Sequence, residues 1–254
     1  MELRLGIVTY NIARNWDIDT IIEKCSQLGY EGVELRTTHR HGVEVNLSKE
    51  ERRRIKKKFQ DCPVKLVGLG STFEYHSPVR EELRKNIEGT KEYVKLAHDV
   101  GAEGIKVRPN AFPEGVSKEK TIEQIGLSLR ECGEFARDYG IKIRLEVHGR
   151  GTSHIPYIRK MMDVCDHQNV YVCWNSNPTD VDETGSIKKN FDLLKDKIDT
   201  VHITELWSDY PYEELFSLLK KIGYKGFCLA EIPESPEPDR LLRYYRKLFY
   251  CLQK

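Results

Sequence analysis

Eight short runs of β-forming residues recur along the chain, each followed by a longer stretch with helical period, and this alternation narrows the possible folds more than any other feature. The runs are LRLGIVTY from residue 3, GVELRT from 32, KLVGLGS from 65, GIKVRP from 104, IRLEVH from 143, VYVCWN from 170, TVHITEL from 200 and GFCLAEI from 226. Between them, Leu83, Ile87, Val94 and Ala97 keep one helical face, and Ile122, Ile125, Leu129, Cys132, Ala136 and Tyr139 keep another. Gly29, Gly101, Gly140 and Gly223 stand a few residues before the next run, where helix caps belong. Eight βα units in 254 residues predict an α/β fold, a single (β/α)8 TIM barrel occupying residues 1–254 as one domain. A doubly wound sheet fits less well. GLGSTF, after the third run, lacks the third glycine of a dinucleotide fingerprint and leads into EYHSP rather than a helix.

Charge and hydropathy bound the partners. Forty-one basic and 40 acidic residues leave a net +1, which gives no electrostatic reason to expect nucleic acid or a membrane surface. The stretch KEERRRIKKKF (49–59) reads as the solvated face of the second barrel helix. The start MELRLGIVTY is not a signal sequence, and no run of ~18 apolar residues occurs, so a cytoplasmic protein is expected. Seven cysteines without close pairs fit reduced, mostly buried thiols in that compartment. The amphipathic tail RLLRYYRKLFYCL is expected to close the barrel and leaves a homo-oligomeric contact possible.

In such a barrel the chemistry gathers at the C-terminal ends of the strands. Those ends carry Glu34 and Arg36, then Glu74 and His76, Lys106 and Arg108, Glu146 and His148, Trp174 and Asn175, His202 and Glu205, and Glu231. Charged residues inside apolar strands are costly unless paired or bound to metal, and RLEVH, TVHIT and CLAEI each place one there. Two carboxylates and an imidazole, joined by an amide oxygen, suit a divalent ion with positions left open for substrate. The competing reading makes each glutamate a structural partner for Arg144, Lys106 or Arg108. Glu34 and Arg36 are open to either reading.

The segments GYEGVELR, RLEVHGR, CWNSNPTD, TVHITEL and LAEIP, in this order and spacing, resemble the xylose-isomerase-like TIM-barrel superfamily of sugar-phosphate isomerases and epimerases. The resemblance implies one divalent metal ion (Mn, Co, Mg or Zn) held by Glu146, by the strand 6 position, by His202 and by Glu231. Where the family usually has Asp on strand 6, this chain has Asn175, and the His that many relatives carry three residues later is Pro178. Asn offers an oxygen at nearly the same reach but no charge, so the set carries −2 against a divalent ion. Asp180 or Asp182 is a candidate to compensate from behind, with Asn177 and Pro178 turning the chain.

The implied activity is isomerisation or epimerisation of a sugar, sugar phosphate or related keto-polyol, by proton transfer through a metal-stabilised enediolate, with Glu146 and Glu231 as the proton-transfer pair. Lys106, Arg108, His148 and His76 are expected to bind substrate oxygens, Trp174 to wall a sugar face beside Trp207, and Glu205 to line the site. Dehydration of a keto-sugar or inosose, or cleavage of a keto-glycoside, uses the same base and metal. Asn175 leaves room for a non-catalytic sugar-binding relative. Zinc-dependent apurinic endonucleases share this barrel, but they need a trinuclear cluster rich in histidine and a basic face, and this near-neutral chain has eight histidines.

Overall fold

The computed structural model describes residues 2–254. Eight parallel strands, β1 (Arg4–Val8), β2 (Gly32–Arg36), β3 (Lys65–Glu74), β4 (Gly104–Arg108), β5 (Lys142–Glu146), β6 (Val170–Asn175), β7 (Ile198–Ile203) and β8 (Phe227–Ala230), close into a barrel in chain order. The seam is the β1–β8 pair, which aligns Arg4 with Phe227 and Ile7 with Ala230. Outside run α1 (Ile18–Leu28), α2 (Lys49–Gln60), α3 (Arg80–Val100), α4 (Lys118–Arg137), α5 (Ile155–Cys165), α6 (Lys188–Leu194), α7 (Tyr212–Lys221) and α8 (Pro238–Cys251). The chain is a (β/α)8 TIM barrel, as the alternation predicts.

The helical periods face the sheet. On α3, Ile87, Val94 and Ala97 are buried, and on α4, Ile122, Ile125, Leu129, Cys132 and Ala136 are buried. α2 buries only Phe59 and leaves its basic residues on the outer ring, fixed at its start by a capping box between Ser48 and Glu51. Most of the apolar core lies between strands and helices, while Val8, Val67, Phe227 and Leu229 form a small separate cluster inside the barrel. All seven cysteines are unpaired, with Cys62 half-buried and Cys251 exposed. Among the described residues, no helix is long and apolar enough to cross a membrane.

Strand ends differ from the sequence pattern in ways that matter for the site. β3 runs three residues past the expected Ser71 to Glu74, with register shifts against both β2 and β4. β5 stops at Glu146 and β8 at Ala230, so His148 and Glu231 stand in the loops just beyond.

Candidate active site

Side chains alternate across a strand, and on β2, β4, β5, β6 and β7 the inward series ends in polar groups. Glu34 and Arg36, Lys106 and Arg108, Glu146, Asn175 and His202 all follow this parity, and Glu231 continues it past β8. Register places Asn175 beside His202. The Ser176 hydroxyl donates to the His202 carbonyl (3.0 Å), and Asn177 Nδ2 donates to the Val147 carbonyl (2.7 Å), which fixes the end of β6 to both neighbours.

His202 is the centre of the group and is fully buried. Its Nδ1 lies 3.4 Å from Glu146 Oε1 and 3.4 Å from Glu231 Oε2, and its Nε2 lies 3.3 Å from Glu34 Oε1. None of these approaches is a formed hydrogen bond: both ring nitrogens and both Glu34 oxygens are buried without a partner. Lys106 Nζ donates to Glu146 Oε2 at 2.6 Å, so the other Glu146 oxygen stays free to face His202. Glu146, His202 and Glu231 each offer one ligand atom, all within 4.8 Å of one another. Two carboxylates, an imidazole with unused nitrogens and the Asn175 amide beside them fit a divalent cation.

The charges hold one another in place. Burial opposes ionisation of Glu146, but the Lys106 ammonium and His202 outweigh it and hold the carboxyl well below its ordinary range. Burial likewise opposes the charge on Lys106, and Glu146, Glu34 and Glu231 overcome it, so the ammonium is kept. Burial lowers His148 below the usual imidazole value and favours its neutral form.

Lys106, Glu146, Asn175 and Glu231 line a cavity of about 570 Å³ at the C-terminal mouth, together with Tyr10, Asn11, Arg36, Arg108, His148, Asn177, Thr204, Glu205, Ile232 and Pro233. Of the residues expected at the site, Lys106, Arg108, Glu146, His148, Asn175, Glu205 and Glu231 line it, and His202 stands behind its ligand-bearing wall. Trp174 and His76 do not line it. The Trp174 indole points away from the barrel interior, packs edge-on to Phe191 and donates to the Tyr210 hydroxyl (3.0 Å), so it forms no wall for a sugar. Trp207 is 78% exposed and donates its indole N–H to Glu205.

Neither aspartate backs Asn175. Asp182 caps the turn at Thr184 and Ser186. Asp180 Oδ2 accepts from the Asn177 N–H (2.9 Å) and lies 3.3 Å from the Tyr210 hydroxyl, and burial raises its carboxyl to about 7. Two groups that the sequence left undecided or did not single out are Glu34, under His202, and Tyr10, at the mouth. Parity along GVELR was the available signal for Glu34, since it shares the inward face with Gly32 and Arg36.

The barrel has counterparts among known proteins. The chain belongs to the xylose isomerase-like TIM barrel family, whose profile matches residues 22–248. Among solved structures, D-psicose 3-epimerase with D-tagatose from Clostridium cellulolyticum H10 aligns with a TM-score of 0.85 at 17% identity, covering 99% of this chain and 100% of that one. The IolI protein with a bound zinc atom aligns at 0.77 and 18% identity, covering 98% and 96%. The probable 3-DHS dehydratase AsbF from Bacillus anthracis aligns at 0.75 and 13% identity, covering 98% and 99%. At such identities the likeness shows the fold. No curated protein matches the chain in sequence.

Proposed function

We propose that the protein is a divalent-metal-dependent isomerase or epimerase of a keto-sugar or keto-polyol, a cytoplasmic enzyme of carbohydrate metabolism. The observation that carries this reading is the group of Glu146, His202 and Glu231, with the buried imidazole left short of partners on both nitrogens. Glu146, Asn175, His202 and Glu231 would hold the ion. When bound, it supplies a Lewis acid that makes a carbon next to a substrate carbonyl more acidic.

The chain's own residues do the rest. Glu146, kept ionised by Lys106, is ready to take a proton from that carbon. Glu231 reaches the same space from beyond β8, three strands away, and is placed to return a proton at the neighbouring carbon or on the other face. Neutral His148 offers a ring nitrogen to a substrate hydroxyl. A second reading, elimination of water or of an aglycone, is favoured by one observation: the Lys106 ammonium beside Glu146 places a charged hydrogen-bond donor next to the base, where the negative charge of a departing oxygen would develop.

Exchange of substrate carbon-bound hydrogen with D₂O, run over a panel of ketoses, keto-sugars and inososes, tests the proposal. Glu146→Gln and Glu231→Gln are each expected to slow exchange by about 10²–10⁴ with the fold intact. Exchange persisting in both variants would refute the assignment. Label retained in an isomer or epimer supports the first reading, and loss of water or an aglycone the second. The parent should carry one ion per chain by elemental analysis and gain about 2.7 kcal/mol of stability at 100 times Kd. Absence of both the ion and the gain would leave a sugar-binding protein without catalysis.

A further inference from the structure

The cavity is divided by charge. Its carboxylates Glu146, Glu205 and Glu231 come from β5 and from beyond β7 and β8, whereas its cations Arg36, Lys106 and Arg108 come from β2 and β4. Lys106 is engaged by Glu146. The two arginines are not matched in the same way. Arg36 makes no ion pair among the described residues; its Nη1 donates to the Thr37 carbonyl (3.0 Å), and its guanidinium lies 5.9 Å from the centre of the Tyr10 ring. Arg108 reaches Glu74 Oε2 and the Thr72 carbonyl with Nη2, both at 3.3 Å, while its Nε is buried with no partner.

Elsewhere in the molecule, guanidinium groups that are buried or partly buried have oxygen partners on two nitrogens each. Arg144 binds Asp199 and the Val67 carbonyl, and Arg130 binds the carbonyls of Val164 and Cys165. At the cavity, two half-buried like charges line the same space. Burial, and next the charge of Arg108, hold the Arg36 guanidinium below its ordinary range. Such an arrangement is costly as it stands and becomes favourable once an oxyanion lies between the two forks, because planar guanidinium donors match carboxylate and phosphate oxygens. His148, whose buried Nδ1 is unpartnered, lines the same cavity.

We infer that the substrate is an anionic sugar, its carboxylate or phosphate held by Arg36 and Arg108 while its reacting carbons face Glu146 and Glu231. The second half of this statement rests on the proposed function; the anion subsite itself does not. A neutral sugar would leave Arg36 without a counter-charge and Arg108 with Glu74 alone, at 3.3 Å.

Titration calorimetry on the metal-free protein tests the subsite without turnover and avoids chelation of metal by the probe. The probes are inorganic phosphate, D-glucuronate and D-glucose. Phosphate or glucuronate is expected to bind at least about tenfold more tightly than glucose, with affinity falling as salt rises. Arg36→Gln should weaken that anion by about tenfold or more, and Arg36→Lys, which keeps the charge and loses the fork, by less. Preference for phosphate assigns a sugar phosphate, and preference for glucuronate a sugar acid. The inference is overturned if glucose binds as well as the anions, if neither anion binds, or if a folded Arg36→Gln protein binds the anion like the parent. The two proposals fail separately: anion binding in a parent that shows no D₂O exchange refutes only the catalytic reading, and exchange in a parent that binds no anion refutes only the subsite.

Discussion

At the N-terminal end of the barrel, Arg144 lies inside with its Nε 2.7 Å from Asp199 Oδ2 and its Nη1 2.8 Å from the Val67 carbonyl, while Lys142 Nζ holds the other Asp199 oxygen at 2.5 Å. At the C-terminal end, Glu34 and His202 are as deeply buried, and all four of their polar side-chain atoms lack a partner. Both ends open on a cavity, about 430 Å³ below and about 570 Å³ above. The difference lies in satisfaction, not burial. Of the side-chain atoms left buried and unpartnered, the lower cavity is lined by one, the Thr200 hydroxyl, whereas Glu34, His76, Arg108, His148, Asp180 and His202 lie around the upper end. Buried charges that bond one another are architecture; buried charges that stop short are held for something else.

β3 shows how one strand serves both ends. A side chain at Gly68 would start 2.7 Å from Arg144 Nη1, and one at Gly70 would start 2.8 Å from Glu34 Oε1. Two glycines therefore make room for the lower ion pair and for the carboxylate under His202.

The largest effect that would sharpen this contrast is on stability. Arg144→Met strips Asp199 of one partner and should cost about 3 kcal/mol in urea unfolding, the low end for a broken buried pair because Lys142 remains. Metal affinity should be unchanged; a fall would mean that the two ends are not separate in function. Next comes Asn175→Asp, which adds a charge to the upper set. It should raise metal affinity by about tenfold, roughly 1.4 kcal/mol, measured by calorimetry, and an unchanged affinity would remove Asn175 from the ligands.

A third, separate effect is a pH slope. Burial lifts Asp180 from 3.8 to about 7, so the folded chain binds its proton more tightly than the unfolded chain does. The stability this confers is complete below about 4 and is lost as pH rises towards 7. Asp180→Asn should flatten the fall in melting temperature across that window. A slope identical to the parent's would show that Asp180 is not its source.

Much of this was legible from residue order. The eight alternating runs predict the barrel, and the positions of Glu146, His202 and Glu231 at strand ends predict their meeting, because closure in chain order brings those ends into one ring. Side-chain parity was the weak point. Trp174 and Asn175 are neighbours in sequence, and a pleated strand sends them to opposite faces, so listing strand ends without counting by two gave the tryptophan a place in the cavity. His76 failed differently, since it lies past β3, whose bulged register hid its true end. Glu34 was open to two readings because a glutamate and an arginine two apart could each be a structural partner for charged neighbours. In the structure Arg36 has no acid partner among the described residues, and Glu34 faces His202.

The sealed imidazole also gives the protein a spectroscopic handle. With no exposed surface at His202, a ring N–H there is shielded from hydroxide and bulk water, so its proton should exchange slowly enough to appear as a downfield resonance in ¹⁵N-edited spectra. The carboxylates on both sides of the ring would move that signal further downfield. Loading the site would then be read at a single nucleus, with no substrate in the tube.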